Sequence, residues 1–326
     1  MKYTKRQIMV VILGAVAVII IATLVCFVFF FNPQRTFTII ETYRITSQSG
    51  SETYLNVCLP VSNGYQEITD LRVEGVDDFS VGNYDGWDEL TAKIPSSDSE
   101  VLVTILYTAK LVRNAKPWDE EVLDSYTEPQ QYVDSDNEAI IKLGQQLRGD
   151  SDYQTAQNIL KHVNKLIRSP SGEQMNTVQL TASELLENPV GVCGDKAILM
   201  TALLRSDGIP TRMISDLMLQ VPLRKTSDWS HSGDTHAWVE FFVNGKWHFA
   251  DPTWDIFDRS DTRHLSYGTY EANGQSDFQQ NRYNTIEESG FIIKGAMSGP
   301  LMFTVYSTDE NATVIPRGEV SFSWAR

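Results

Sequence analysis

The hydrophobic pattern along the chain changes character four times. Over 8–31 it is continuous, 24 residues without a charge, or about 36 Å as a helix against ~30 Å of bilayer hydrocarbon. Between 36 and 112 it breaks into short strand-like runs at 36–46, 54–61, 68–74, 90–94 and 101–112, separated by turn clusters at 47–51, 62–64 and 96–99. Runs of that length predict a small β-sandwich over 36–116. Past Asn137 the period becomes helical, with Ala156, Ile159, Leu160, Val163, Leu166 and Ile167 on one face. The stretch 197–204 is apolar nearly all round and is followed by Arg205, Gly208 and Pro210, which predicts a buried central helix starting near Cys193. Beyond 264, runs at 291–297, 301–307 and 320–324 predict a β-rich extension over 265–326 that either extends a sheet or forms a small one of its own.

The first run is too long for the apolar part of a cleaved signal peptide, and Phe27, Phe29, Phe30 and Phe31 stand where a small-residue cleavage site would be. Cys26, preceded by Val25 inside the run, is a poor lipid attachment site. The expectation is an uncleaved single-pass membrane anchor. Lys2, Lys5 and Arg6 precede it and Arg35 follows, so the positive-inside rule puts the tail 1–7 in the cytoplasm and residues 35–326 outside. The chain carries 42 acidic and 27 basic side chains, and without the three basic tail residues the exported part is near −18. That charge disfavours nucleic acid as a partner. Between 117 and 138 there are eight acidic residues and no basic one, with Pro129 in the middle, which reads as an acidic, solvated linker over 117–137. Asp134, Asp136 and Glu138 alternate as in a calcium loop, but no Gly follows and Gln145 takes the closing position, so calcium is not expected.

Cys58 and Cys193 are the two exported cysteines, too few for a disulfide scaffold, although one bridge between them stays open. Cys58 lies in a strand-like run ending at Pro60 and reads as a buried strand cysteine. Cys193 stands at a helix N-terminus, where unpaired N–H groups and the helix dipole favour thiolate, and Gly191 and Gly194 leave room for a substrate carbonyl. A second element starts at His236. There Asn244-Gly245 separates the strand-like runs 236–243 and 246–251, a strong two-residue hairpin signal. The turn pairs Val243 with Lys246, hence His248 with Phe241, and carried onward Asp251 with Trp238. His236 and Asp251 then share a face as diagonal neighbours roughly 7–8 Å apart. A carboxylate so placed can fix the imidazole in one tautomer, the third-member role in an acyl-transfer triad. His248 falls on the opposite face. His231 and His264, in polar loop-like stretches, and His162, in the amphipathic helix, read as surface or structural. There is no His-Glu-x-x-His, no C-x-x-C and no Gly-rich phosphate loop, so neither metal nor cofactor is expected.

Four blocks in order, Gly191-Val192-Cys193-Gly194-Asp195-Lys196-Ala197, then Leu203-Leu204-Arg205-Ser206-Asp207-Gly208-Ile209-Pro210-Thr211-Arg212, then His236-Ala237-Trp238, then Asp251-Pro252-Thr253-Trp254, give a sequence that resembles the transglutaminase-like superfamily, especially its prokaryotic membrane-bound and secreted members. The resemblance spans roughly 138–258 and implies an α+β, papain-like core over 138–264, its cysteine helix packed on an antiparallel sheet. It further implies Cys193 as nucleophile, His236 as general base and acid, Asp251 as orienting carboxylate, and a protein or peptide substrate such as a cell-surface or wall peptide. Gly194, Trp238 and Trp254 are the residues expected around that substrate. Where animal transglutaminases carry an aromatic residue after the nucleophile this chain has Gly194, and hydrolysis is expected over crosslinking. The Cys193 N–H is one expected oxyanion donor. The rival reading is a catalytically silent surface module of the same fold, against which the intact Cys, His and Asp argue. Asn311-Ala312-Thr313 is a lone glycosylation sequon.

Overall fold

Residues 14, 18–20, 23, 34–84, 87–170, 179–219, 227–228, 235–270, 286–297 and 303–323 are described by the computed structural model. The expected anchor 8–31 lies outside them apart from Gly14, residues 18–20 and Thr23, which are helical. Among the described residues no helix is long and apolar enough to cross a membrane.

Alternating hydrophobicity builds the first half. In β1 (Gln34–Thr46) Phe37, Ile39, Tyr43 and Ile45 point inward, and in β6 (Val101–Val112) so do Val103, Ile105, Tyr107, Ala109 and Leu111, the period of two that a strand with one buried face requires. Between them run β2 (Thr53–Leu59), β3 (Gln66–Glu74), β4 (Phe79–Tyr84) and β5 (Trp87–Ile94). These strands alone do not close the sandwich. The end of the chain returns as β13 (Ile292–Met297), β14 (Phe303–Ser307) and β15 (Thr313–Ser323). β15 pairs antiparallel with β1 from Thr36–Ser323 to Thr46–Thr313, and β14 with β2. The resulting sheets run β3-β6-β1-β15-β8, where β8 is Ser227–Asp228, and β13-β14-β2-β5-β4, and their inner faces form one apolar core. The C-terminal strands therefore complete the sandwich and do not form a sheet of their own. β1 has two polar edges, β6 covers one, and β15 satisfies the other.

Inserted between the two halves of the sandwich is a mixed α/β unit with an antiparallel sheet. Its helices are α1 (Glu138–Leu147), α2 (Asp152–Leu166), α3 (Ala182–Glu187) and α4 (Cys193–Ser206), and the first three begin on side-chain caps from Asn137, Ser151 and Thr181. Every residue of α4 from Lys196 to Arg205 is buried, as its uniform apolarity predicts, and truncating one of its leucines costs roughly 2–5 kcal/mol. It packs with α2 and α3 onto the sheet β11-β10-β9-β7-β12, made of β7 (Thr211–Met218), β9 (Thr235–Val243), β10 (Lys246–Asp251), β11 (Ile256–Phe257) and β12 (His264–Tyr270). Val243 pairs with Lys246 and Phe241 with His248. Asn244 and Gly245, at φ of 54° and 75°, make the two-residue turn with both residues left-handed.

The acidic segment 117–137 runs along this unit. Trp118 exchanges backbone hydrogen bonds with Trp247 (3.2 and 2.9 Å), Glu120 pairs with Arg212 (2.6 Å), and Tyr126 and Val133 are buried. Apolar anchors every few residues hold the segment down, so its charge does not make it a free tether. The sandwich in turn grips β12. The Gln66 side-chain amide forms a two-way pair with the Ser266 backbone (2.7 and 2.8 Å), and the Tyr107 and Tyr267 hydroxyls meet at 2.8 Å.

Candidate active site

Cys193 is the first residue of α4, and its position is built from both sides. The Asp195 carboxylate folds back to accept the Val192 N–H (2.7 Å), and a Cβ on Gly191 would come within 2.5 Å of that carboxylate, so Gly is needed at 191 for the turn into the helix. Among the described residues a Cβ on Gly194 would meet nothing within 4 Å, so the helix presents open space next to Cys193 in sequence. Neither Cys193 nor Cys58 forms a disulfide, which closes the disulfide alternative.

Strand β9 brings His236 to the thiol. The imidazole hydrogen-bonds the Cys193 sulfur, and the backbone N–H groups of Ala237 and Gly194 also donate to it. The other end of the ring, Nε2, lies 3.0 Å from Asp251 Oδ2. Asp251 is fully buried at the end of β10, and its Oδ1 accepts the Thr253 N–H (2.7 Å). The electrostatics follow. Burial pushes the Cys193 thiol up, but the bond to His236 and its charge outweigh that and leave it below its ordinary value. Burial pulls His236 down, yet Asp251 and Cys193 together raise it to about 9. Asp251 is held well below the usual carboxylate range, its desolvation overcome by His236 and His264. The arrangement holds His236 as imidazolium at neutral pH and shifts Cys193 toward thiolate.

Of the expected substrate-contacting residues, Gly194 borders open space and Trp254, 41% exposed, stacks on His236 with ring centres 4.6 Å apart. Trp238 is different. It is fully buried under the site against Tyr65 and Phe249, because its side of β9 faces the sandwich junction, and it supports the histidine from below. His248 lies on the other face as its register requires, bonded through Nδ1 to Asp258 (2.7 Å). His162 is half-buried in α2, and burial lowers its pKa. His231 lies outside the described residues.

His264, read from the sequence as a surface or structural residue, is fully buried at the start of β12 with Nε2 3.3 Å from Asp251 Oδ2 and Nδ1 2.7 Å from Asp261. Its spacing from Asp261, three residues, was the available signal, but the turn that folds the pair toward Asp251 has no local signature. Lys196 was also overlooked. One turn along α4 from Cys193, it is 7% exposed, its ammonium lowered by burial and raised in part by Asp251 and Cys193. His236, Asp251 and His264 each offer a ligand atom within 4.8 Å of the others, a donor set of metal type. Two of those separations, from each histidine to Asp251, are already hydrogen bonds, so a cation would have to displace the protons that now link the histidines to the carboxylate.

One solved structure agrees with this architecture at the level of fold. A candidate cysteine protease from Cytophaga hutchinsonii superposes with a TM-score of 0.52 at 17% identity, covering 89% of this chain and 98% of that one. The periplasmic domain of TgpA from Pseudomonas aeruginosa, bound to ethylmercury, gives 0.35 at 14% identity, covering 68% and 90%. No curated protein sequence matches the chain. Residues 141–252, which include Cys193, His236 and Asp251, match the model of the Transglutaminase-like superfamily.

Proposed function

We propose that the protein is a membrane-anchored, extracytoplasmic thiol enzyme that opens peptide or amide bonds through an acyl-cysteine, with water as the preferred acceptor. The observation that carries this reading is the unbroken hydrogen-bonded chain Cys193–His236–Asp251 at the first turn of a buried helix. In the first half-reaction the Cys193 thiolate attacks the carbonyl carbon, and the resulting oxyanion is stabilised by backbone N–H donors at the start of α4. The C–N bond then breaks as imidazolium His236 passes its proton to the departing nitrogen, which leaves a thioester and a neutral imidazole. In the second, His236 takes a proton from water, hydroxide adds to the thioester carbon, and the acid departs as thiolate and imidazolium are restored. Asp251 stays ionised throughout and orients the ring.

Hydrolysis is favoured because, among the described residues, nothing crowds the space a Cβ on Gly194 would fill, whereas amine transfer needs water excluded and an amine held in place. The test is a short iodoacetamide pulse on the full-length protein near pH 6.5, followed by peptide mass spectrometry. Cys193 should be alkylated many times faster than Cys58, since its thiolate is stabilised and Cys58 lies in a strand packed against the sandwich core. Equally slow labelling of both would leave a silent scaffold as the better account.

A further inference from the structure

We propose that an arginine-lined cleft beside Trp254 is a subsite for a carboxylate group of the peptide substrate; this deepens the acyl-cysteine reading and rests on it. The cleft, about 340 Å³, is lined by Arg113, Arg259 and Arg263 with Ile256, Ser260 and Asp261. Arg35, buried at the start of β1, lies behind it, close enough that Arg113 and Arg263 add to burial in lowering its pKa while Asp261 opposes them. Four guanidiniums thus gather around one carboxylate in a chain whose net charge is −15.

That carboxylate is already committed. Asp261 accepts from His264 Nδ1 (2.7 Å), from the Arg263 N–H (2.8 Å) and from Arg263 Nε (2.9 Å). Ser260 is committed too, donating to the Val112 carbonyl (2.6 Å) and accepting the Ala115 N–H (3.0 Å). Arg259 is exposed and makes no ion pair among the described residues. Guanidinium forks match a carboxylate in two parallel hydrogen bonds, and an incoming anion relieves the repulsion among them. A carboxylate is the anion that a peptide itself carries, which favours it over a free phosphate for this site.

The cleft is joined to the chemistry through one ring. The Arg263 guanidinium sits 4.7 Å from the centre of Trp254, and Trp254 stacks on His236. A peptide with its scissile carbonyl at Cys193 and an acidic group a few residues away can engage both. The acidic surface elsewhere repels such a peptide, so the attraction is local to this cleft.

The experiment is calorimetric titration of the full-length protein in neutral detergent with a blocked tetra-glutamate peptide and its tetra-glutamine counterpart. The glutamate peptide should bind about tenfold more tightly, and Arg259→Glu or Arg113→Gln should remove most of that preference. Arg263 is left in place because it holds Asp261. Cys193→Ala should keep the preference. Equal affinities, or a preference that survives both arginine variants, overturn the proposal. So does displacement of the glutamate peptide by inorganic phosphate, or by phosphatidylglycerol in the micelle, at concentrations where acetate has no effect, since the site would then serve a phosphate group. An unreactive Cys193 with the preference intact sinks the acyl-cysteine reading and the substrate assignment with it, whereas a reactive Cys193 with no preference sinks the cleft alone.

Discussion

At the scale of single residues the pairing of Asp251 with His236 decides the most. Burial alone would keep the imidazole neutral; the carboxylate at 3.0 Å, together with the Cys193 sulfur, raises the His236 pKa to about 9, and His236 in turn lowers that of Cys193. Replacing Asp251 with Asn removes the charge and keeps the shape. The His236 pKa should fall, the thiol should rise, and the pH profile should contract from both sides: iodoacetamide reactivity near pH 6.5 should drop, and turnover should decline at a pH well below 9. The loss at neutral pH should be on the order of a hundredfold or more, measured as the alkylation rate and as peptide turnover across pH 5–10. An unchanged profile would mean that the carboxylate does not control the ring. These residues could be read in the sequence because each leaves a local mark: Cys193 before an apolar helix, His236 and Asp251 on either side of an Asn-Gly turn. Lys196 and His264 could not, since a lysine inside a helix and a histidine after a polar turn are ordinary surface patterns until the packing around them is known.

At the scale of elements, strand alternation and helix period located most of what is observed, while the partners of each strand were not legible. β1 and β15 are far apart in sequence, and no local pattern distinguishes a strand that pairs across the whole chain from one that pairs with its neighbour. One buried group marks where such elements meet. Glu41 of β1 sits at 1% exposure, bonded by the hydroxyls of Tyr43 (2.7 Å) and Tyr107 (2.9 Å), with Tyr267 of β12 contributing as well. Burial raises its pKa from 4.5 to about 7, more than the tyrosine hydrogen bonds lower it. Because the folded value lies above the unfolded one, the stability this proton confers is complete below about pH 4.5 and is lost as pH rises through about 7. Glu41→Gln cannot ionise, so its urea denaturation midpoint should lack that decline, and above pH 7 the variant should exceed the wild type by on the order of 3 kcal/mol or less. A parallel pH dependence in the two proteins would show that Glu41 is not the group responsible.

At the scale of the whole molecule, the sandwich is more than a spacer. Strands from early and late in the chain close it, and β12, which it grips through Gln66 and Tyr107, carries the His264 that touches Asp251, so the Asp251 carboxylate is tied through β12 to strands from residues 34–112 and 303–323. That arrangement bears on the anchor. β1 begins at Gln34, three residues after the apolar run ends at Phe31, and three extended residues reach about 10 Å. If 8–31 spans a bilayer, the sandwich stands almost against it, and the site can serve only substrates near the membrane. For the proposed anchor, charge sets the expected direction of insertion: Lys2, Lys5 and Arg6 precede the run, while Arg35 is the first basic residue after it. Protease added outside intact bacterial cells expressing an amino-terminally tagged chain should therefore digest the sandwich and the catalytic unit and leave the tag protected. Digestion in detergent alone, with the large domain shielded in intact cells, would place the thiol in a reducing cytoplasm and overturn the assigned topology.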